Sequence, residues 1–101
     1  MGITTNVSSN NTEVTISVKG RFDINVYEEF SAAYKGVTPP GESCVVDLAE
    51  TEHLDSTGLG MLLLMRERLG RSKIKTTIVN CPPEIARTLE SVGLRKLINN
   101  E

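Results

Sequence analysis

The chain contains few of the side chains that commonly bind nucleic acids, metals or cofactors. Its 101 residues include no Trp, two Phe, two Tyr and one His. So few aromatic residues argue against a platform on which nucleic-acid bases stack. One His and two Cys, without a Cys-x-x-Cys pair, are too few ligands for a zinc site. We therefore predict neither a metal nor a cofactor.

A strong net charge and long apolar runs are also absent. The formal net charge is -2, which gives no broad attraction to nucleic acid or anionic lipid. No apolar run approaches the roughly 20 residues that a transmembrane helix requires. The N-terminal stretch "MGITTNVSSN" lacks the basic and then apolar pattern of a signal peptide. We expect no nucleic-acid partner, no membrane insertion and a cytoplasmic location.

The two cysteines lie in or beside apolar runs. Cys44 belongs to "SCVVDL", and Cys81 follows "TTIVN". These thiols could form a disulfide or act as reactive groups. Their apolar surroundings favour the simpler interpretation that both are small buried side chains.

Length and composition indicate one globular domain over residues 1–101. Apolar residues make up 39% of the chain and charged residues 24%, which is ordinary for a folded domain. A chain of this length can build one hydrophobic core but not two.

Alternating apolar residues predict a strand over residues 13–19. Residues 5–7 are expected to pair with it through a turn at Asn10-Asn11, since Asn tolerates the left-handed conformation. Gly20 would close this hairpin. Two short apolar runs, 43–48 and 74–79, predict further strands. The first of these lacks alternation, as expected of a strand covered on both faces.

Three segments show the apolar spacing of helices, over residues 23–36, 57–69 and 82–93, and a last turn follows over 94–98. Asp23 is a candidate cap, and Gly36, Gly70 and Gly93 are expected to end the three helices. Pro39-Pro40-Gly41 is read as a loop. The side chains predicted to face the core include Val26, Tyr27, Phe30, Ala33, Tyr34, Leu59, Leu62, Leu63, Leu69, Ile85, Ala86, Leu89 and Val92.

The element order β-β-α-β-α-β-α predicts an α/β sandwich with a mixed sheet of about four strands and helices packed on it. Right-handed crossovers place the loops after successive strands on one side of such a sheet. The loop "GRFD" at 20–23 and the loop "LDSTG" at 54–58 are therefore expected to approach each other.

The stretch "LDSTGLG" at 54–60 does not match the common enzyme motifs. A serine hydrolase elbow needs Gly two residues before the nucleophile, where this chain has Leu54. His53 lies too near Ser56 on the same turn to act as an oriented base, and is expected to be a solvent-facing loop residue. "DSTG" has one residue too many for an aspartic protease, and no phosphate-binding Gly-x-x-x-x-Gly-Lys motif is present. We predict that the protein is not an enzyme.

The same stretch fits the start of a helix. Asp55 or Ser56 is a suitable N-cap, because its oxygen accepts an otherwise unpaired backbone N–H. Gly58 and Gly60 would then lie in the first turns, where each costs about 1 kcal/mol relative to Ala. Glycine allows a partner, a ligand or another backbone to come close. Either a binding surface or tight packing of helix against sheet would explain these residues.

A hydroxyl at a helix N-terminus is also suited to phosphorylation. The helix dipole and free N–H groups accommodate an anion there, while Asp55 and a nearby Asp23 would oppose it. The added charge of about -1.5 to -2 would change the surface without unfolding the domain. A like-charge clash of ~3 kcal/mol at an interface weakens binding more than a hundredfold. The stretch therefore predicts a switch.

The segment "VVDLAETEHLDSTGLGMLL" resembles the centre of STAS domains, specifically those of bacterial anti-sigma factor antagonists. "VKGRFD" and "ARTLESVGLRKLI" resemble the family's first acidic turn and its C-terminal helix. The resemblance covers essentially the whole chain. It implies that Ser56 is phosphorylated, with Thr57 as a minor second acceptor. It also implies a partner-binding surface formed by Asp23, Asp55, Ser56, Thr57, Gly58 and Gly60.

The resemblance implies two protein partners. One is a serine kinase of the histidine-kinase-like ATPase type, which is itself the anti-sigma factor and binds the unmodified form. The other is a PPM-type phosphatase that removes the phosphate. Arg21 departs from the family, since an acidic residue is frequent at this position. Some relatives control biofilm formation, motility or secretion instead, and others act as unphosphorylated accessory subunits of membrane transporters.

Overall fold

The computed structural model describes residues 2–10, 12–36 and 43–98. A four-stranded sheet with the order β1-β2-β4-β6 forms the centre of the fold. β1 and β2 are antiparallel, and β4 and β6 extend the sheet in parallel. The strand bounds are Ile3–Val7 (β1), Glu13–Val18 (β2), Gly20–Phe22 (β3), Ser43–Asp47 (β4), Thr51–Leu54 (β5) and Lys75–Val79 (β6).

The predicted hairpin and mixed sheet are confirmed. Asn11 of the predicted turn and the loop Pro39-Pro40-Gly41 lie outside the described residues. The sequence predicted that β4 is covered on both faces, but the structure covers one face only in part. Cys44 and Val46 are buried, whereas the side chains that alternate with them are only half-buried. One face of β4 therefore contributes to the core, and the other is covered only in part.

In the described part of the chain, three α-helices pack with the sheet. Their bounds are Tyr27–Lys35 (α1), Ser56–Arg71 (α2) and Pro83–Ser91 (α3). A 3-10 turn, Ile24–Val26, leads into α1, and another, Arg95–Leu97, follows α3. α1 ends at Gly36 as predicted. Gly93 follows α3 with φ +79, a left-handed conformation that suits glycine. α2 continues past Gly70 to Arg71.

Three side chains predicted to face the core are exposed instead. Tyr27 is 40% exposed, Leu63 41% and Val92 46%. A helix packed on one side buries only a stripe of its surface, so residues at the margin of that stripe remain in solvent. Helical spacing alone does not fix where the stripe ends.

A second, two-stranded parallel sheet was missed by the sequence interpretation. β3 pairs with β5 in the register Gly20↔Thr51, Arg21↔His53 and Phe22↔Leu54. Gly20 does not close the hairpin but begins β3, and its φ of +82 redirects the chain there. His53 is exposed but lies on a strand, not in a loop. Strands of three and four residues are too short to show a recognisable period.

The core is one apolar cluster drawn from the sheet and the helices. The rings of Phe22, Phe30 and Tyr34 contact one another in series at tilted angles, with centroids 4.9 Å and 5.7 Å apart. Cys44 and Cys81 are both buried in this cluster, which confirms the simpler interpretation of both. Burial raises the pKa of Cys44 and of Cys81 to about 11, and the charge of Glu13 adds to the effect on Cys44.

Candidate functional site

The loops that follow β3 and β5 lie side by side, as the sequence predicted. Phe22 and Leu54 are register partners at the ends of these parallel strands. The backbone N–H of Asp55 continues the pairing, 3.5 Å from the Phe22 carbonyl oxygen. Asp23 and Asp55 thus occupy equivalent positions, each directly after one of two paired strands.

Asp55 is the cap of α2. Its backbone is extended, and its Oδ1 accepts a hydrogen bond from the Gly58 N–H at 2.9 Å. Its carbonyl accepts the Leu59 N–H at 2.9 Å and so begins the helical ladder. Of the two candidate caps, the structure selects Asp55. Ser56 is therefore the first helical residue.

Asp23 caps the 3-10 turn that precedes α1, not α1 itself. Its Oδ1 accepts the Asn25 N–H at 3.0 Å, and its Oδ2 accepts from Arg21 Nε at 3.3 Å. Asp23 is 7% exposed, whereas 64% of the Arg21 side chain is in solvent. The Asp23 carboxylate is held by two donors, and Arg21 presents its positive charge at the surface beside it.

Ser56 and Thr57 are both exposed at the start of α2. Because Asp55 already satisfies the N–H groups of Gly58 and Leu59, the first-turn N–H groups left without a helical acceptor are those of Ser56 and Thr57. Two backbone donors and the positive end of the helix dipole therefore lie at the Ser56 side chain. This arrangement suits an oxyanion carried on that side chain.

The two glycines of the motif have different surroundings. A Cβ at Gly58 would lie 2.2 Å from the Phe22 carbonyl oxygen and 2.7 Å from Leu54 Cδ1. Gly58 is buried, and its absent side chain lets α2 pack directly on the end of β3. A Cβ at Gly60 would meet nothing within 4 Å. Packing thus accounts for Gly58 and not for Gly60.

An apolar groove with a volume of about 520 Å³ lies beside Ser56, and Thr57, the next residue, is part of its lining. It runs between α2 and the segment at the start of α1. Four large apolar side chains in it are substantially exposed, with Ile24 at 62%, Leu64 at 52%, Leu63 at 41% and Tyr27 at 40%. The complete lining of this apolar groove is Ile24, Tyr27, Thr57, Gly60, Met61, Leu63, Leu64 and Glu67.

Sequence reasoning did not find the apolar groove, although a signal was present. The run "MLLLM" places five apolar residues in succession on α2. Successive helical residues are about 100° apart, so five of them encircle the helix and cannot all face the core. Met61, Leu62 and Met65 are buried, and Leu63 and Leu64 point to the surface.

Among residues 2–10, 12–36 and 43–98, no three His, Cys, Asp or Glu side chains are grouped so that they could hold a metal ion. Within the same ranges, none of the helices combines the length and the apolar character needed to cross a bilayer.

A mixed four-stranded sheet with three helices, and an Asp-capped helix that presents a serine next to a second acidic loop, define the class of protein. This is the architecture of STAS domains. A family model described as "Mlab, STAS domain" matches residues 5–99. The chain therefore belongs to the STAS domain family, and the resemblance inferred from the sequence is confirmed.

Known proteins agree with this assignment. A STAS-domain containing protein of Pseudomonas aeruginosa (strain UCBPP-PA14) is 39% identical over 97 residues, which is 96% of each chain. The anti-sigma factor antagonist SpoIIAA of Bacillus, in its unphosphorylated form, superposes with a TM-score of 0.79 at 19% identity. That match covers 98% of this chain and 87% of SpoIIAA.

A transporter protein shares the same fold. A sulfate transporter family protein of Wolinella succinogenes superposes with a TM-score of 0.78 at 11% identity, covering 92% of this chain and 79% of that one. The fold is thus common to anti-sigma factor antagonists and transporter proteins.

Proposed function

We propose that this protein is an anti-sigma factor antagonist, a non-enzymatic binding module controlled by phosphorylation of Ser56. The observation that carries the proposal is the position of Ser56. It is exposed, it is the first residue of α2, and the neighbouring Asp55 fills the cap position that a helix-starting serine would otherwise take. Its hydroxyl is therefore available to another protein's active site.

The surroundings of Ser56 would accept a phosphate without unfolding the domain. The N–H groups of Ser56 and Thr57 have no acceptor within the described part of the chain and can donate to the phosphate oxygens. The α2 dipole also favours a negative charge at this end. The Asp55 carboxylate opposes the new charge but remains engaged with the Gly58 N–H. Phosphorylation would then change the surface potential while the backbone stays as it is.

The apolar groove explains how a phosphate on Ser56 would weaken partner binding. Thr57 lies in the groove lining and is adjacent to Ser56, so a partner that covers Leu63 and Leu64 also comes close to the Ser56 side chain. When a partner covers the groove, a phosphate at its rim must lose bound water or lie against a like charge of the partner. Either effect makes the binding free energy less favourable, and a like-charge contact costs several kcal/mol. A penalty of ~3 kcal/mol lowers affinity more than a hundredfold.

The partners follow from the family resemblance. A serine kinase of the histidine-kinase-like ATPase type, which is also the anti-sigma factor, binds the unmodified form in the cytoplasm and phosphorylates Ser56. A PPM-type phosphatase restores the binding-competent form. Asp55, Ser56, Thr57 and Gly60 present the contact surface. Asp23 is buried and supports that surface from the neighbouring loop, and Gly58 lets α2 pack closely enough on β3 to form it. The downstream response is transcription or biofilm formation.

Phosphorylation by such a kinase tests the proposal, with Ser56→Ala and Thr57→Ala as a matched pair. Both positions are exposed residues of the first turn of α2. We expect Ser56→Ala to fold, to bind the kinase and to take up no phosphate, whereas Thr57→Ala is still phosphorylated. Ser56→Asp should bind the kinase at least tenfold more weakly than Ser56→Ala. Stoichiometric phosphorylation of Ser56→Ala at Thr57 or elsewhere would show that the site is wrongly assigned.

A second candidate function is an unphosphorylated accessory subunit of a membrane transporter. The similarity to a sulfate transporter family protein favours it. In that case the apolar groove would contact a transporter subunit. Ser56→Asp and Ser56→Ala would then have equal activity in cells, and no kinase would modify either the wild-type protein or Thr57→Ala.

A further inference from the structure

The outer edge of β1 carries backbone groups that have no partner among the described residues, and the β1–β2 hydrogen bonds show where these groups are. β1 is the first strand of the sheet order β1-β2-β4-β6, so one edge of it pairs with no strand among the described residues. The Lys19 N–H donates to the Gly2 carbonyl at 2.7 Å, and the Ser8 N–H donates to the Glu13 carbonyl at 2.9 Å. Both bonds follow the β1–β2 register.

These two bonds fix which residues face the open edge. In an antiparallel ladder, alternate residues direct their N–H and C=O groups to the same neighbour. Gly2 and Ser8 bond toward β2, so the even-numbered positions between them do the same. Ile3, Thr5 and Val7 therefore direct their N–H and C=O groups away from β2, along the open edge.

Among residues 2–10, 12–36 and 43–98, the β1 edge shows none of the features that usually prevent strand pairing between molecules. Natural edge strands are protected by charged side chains, proline, bulges or covering segments. β1 reads "ITTNV", without charge or proline, and its register with β2 is unbroken. Four of its five residues are exposed. The opposite edge strand, β6, begins with Lys75 and is bridged by Ile98.

The sequence of β1 is complementary to itself. Two copies of β1 can pair antiparallel about a two-fold axis at Thr5, which places Ile3 opposite Val7 of the second copy and Thr4 opposite Asn6. In that register Ile3, Thr5 and Val7 all occupy hydrogen-bonded positions. Three donors on each of two strands give six hydrogen bonds, and every group of the open edge is paired.

The same register continues the apolar surface of the sheet. Val7 is 57% exposed although it lies opposite Val14 on the core side of the sheet. Ile3 lies opposite the buried Val18 on the same side. Pairing two copies would bring Val7 beside Ile3 of the second copy, so that one apolar strip runs across both molecules. Cross-strand contacts between β-branched residues stabilise sheets.

We propose that the β1 edge is a homodimer interface that joins two four-stranded sheets into one sheet of eight strands. A single strand pair buries less surface than the standard interface of about 1,600 Å², so the dimer is weak and depends on concentration. No residue of β1 lines the apolar groove. Both Ser56 sites of the dimer would remain open, and the proposal is independent of phosphorylation.

Sedimentation equilibrium tests this proposal on the full chain. We expect the average mass to rise from 11.0 kDa toward twice that value as the concentration increases from ~10 µM to ~1 mM, a range suited to weak association. Thr5→Pro removes an N–H at the two-fold axis that the β1–β2 ladder does not use, and should remain monomeric. Thr5→Lys places two ammonium groups opposite each other and should raise the dissociation constant at least tenfold.

Asn6→Lys is the matched control for Thr5→Lys. It adds the same charge on the same strand, but Thr4 of the second copy lies opposite it, so the dimer should persist. Circular dichroism of each variant verifies the fold. A wild-type protein that stays at the monomer mass at ~1 mM would overturn the proposal. Equal dimerisation of wild type and Thr5→Lys, or a dimer abolished by Leu64→Asp alone, would do the same.

Amide exchange measured by NMR gives an independent readout. At low concentration the N–H groups of Ile3, Thr5 and Val7 should exchange faster than those of Thr4 and Asn6, which bond to β2. At high concentration protection should appear at the three odd-numbered positions only. Concentration-dependent protection elsewhere, with none at Thr5, would contradict the proposed register.

Discussion

Gly58 and Phe22 are in backbone contact, and a Cβ at Gly58 would lie 2.2 Å from the Phe22 carbonyl oxygen. This contact joins the start of α2 to the end of β3, and so places Ser56 beside the loop that holds Asp23. The carbonyl oxygen belongs to a paired strand and cannot move aside without disturbing β5. The geometry of the candidate site therefore depends on the absence of a side chain at Gly58.

Gly58→Ala should destabilise the fold, whereas Gly60→Ala should not. Overpacking a site enclosed by backbone costs about 1–3 kcal/mol, and at Gly58 the nearest atoms are a carbonyl oxygen and Leu54 Cδ1. Gly60→Ala meets open space and should gain about 0.5–1 kcal/mol of helix stability. Thermal unfolding checks both, with ~4–8 °C expected per kcal/mol for a domain of this size. Equal melting temperatures for the two variants would contradict this account of Gly58.

Asp55→Ala should lower the free energy of unfolding by about 1 kcal/mol, because the Gly58 N–H loses its acceptor. Asp55→Asn keeps a capping oxygen and should lie within a few tenths of a kcal/mol of the wild type. Urea unfolding with an unchanged m-value measures the difference. If Asp55→Asn were as unstable as Asp55→Ala, the contribution of Asp55 would be its charge rather than its capping geometry.

Leu64→Asp should weaken partner binding without loss of stability. Leu64 is 52% exposed in the apolar groove, so an exposed substitution there should change stability by no more than about 0.5 kcal/mol. We expect at least a tenfold loss of affinity for the kinase or transporter partner. Val92→Asp is a matched control, since Val92 is 46% exposed and lies outside the groove. A similar loss of affinity in both variants would indicate a general charge effect.

Stability should fall between about pH 9 and about pH 11 because of the two buried thiols. Each has a folded pKa raised to about 11 from an ordinary 9.0. A raised folded pKa means that the native state holds its proton longer than the unfolded state. The unfolded state therefore binds fewer protons in this window, and the free energy of unfolding decreases as pH rises. Below the unfolded pKa the contribution of the thiols is fully present.

The variant Cys44→Ala measures how much Cys44 contributes to this pH dependence of stability. The slope of unfolding free energy against pH between 9 and 11 should be shallower in the variant than in the wild type, whatever the change in absolute stability. A thiol reagent should likewise react with Cys44 and Cys81 only after unfolding, since the thiolate is the reactive form and burial disfavours it. An identical slope in wild type and variant would show that Cys44 does not contribute.

Much of the site was readable from the sequence because local chemistry specifies it. Asp55 followed by an apolar helical pattern predicts a cap, and Asp55 is the cap. The alternation in β2 predicts its strand, and Gly93 predicts the end of α3. Each of these signals depends on neighbours within four residues, so a linear pattern can carry it. The strand order also places the loops of Asp23 and Asp55 on one side of the sheet.

Tertiary contacts decided the features that the sequence did not predict, namely the β3–β5 sheet and the apolar groove. β3 and β5 are too short to be stable alone and exist because each supplies the other's hydrogen bonds. The same pairing explains why Gly58 has no side chain, because the Phe22 carbonyl oxygen of β3 occupies the space that a Cβ would need. The contact between α1 and α2 decides which leucines of "MLLLM" are buried and which line the apolar groove. The sequence by itself determined that a helix starts at Asp55 and Ser56, because a cap depends on neighbouring residues. Packing between distant segments determined the surface around this helix start.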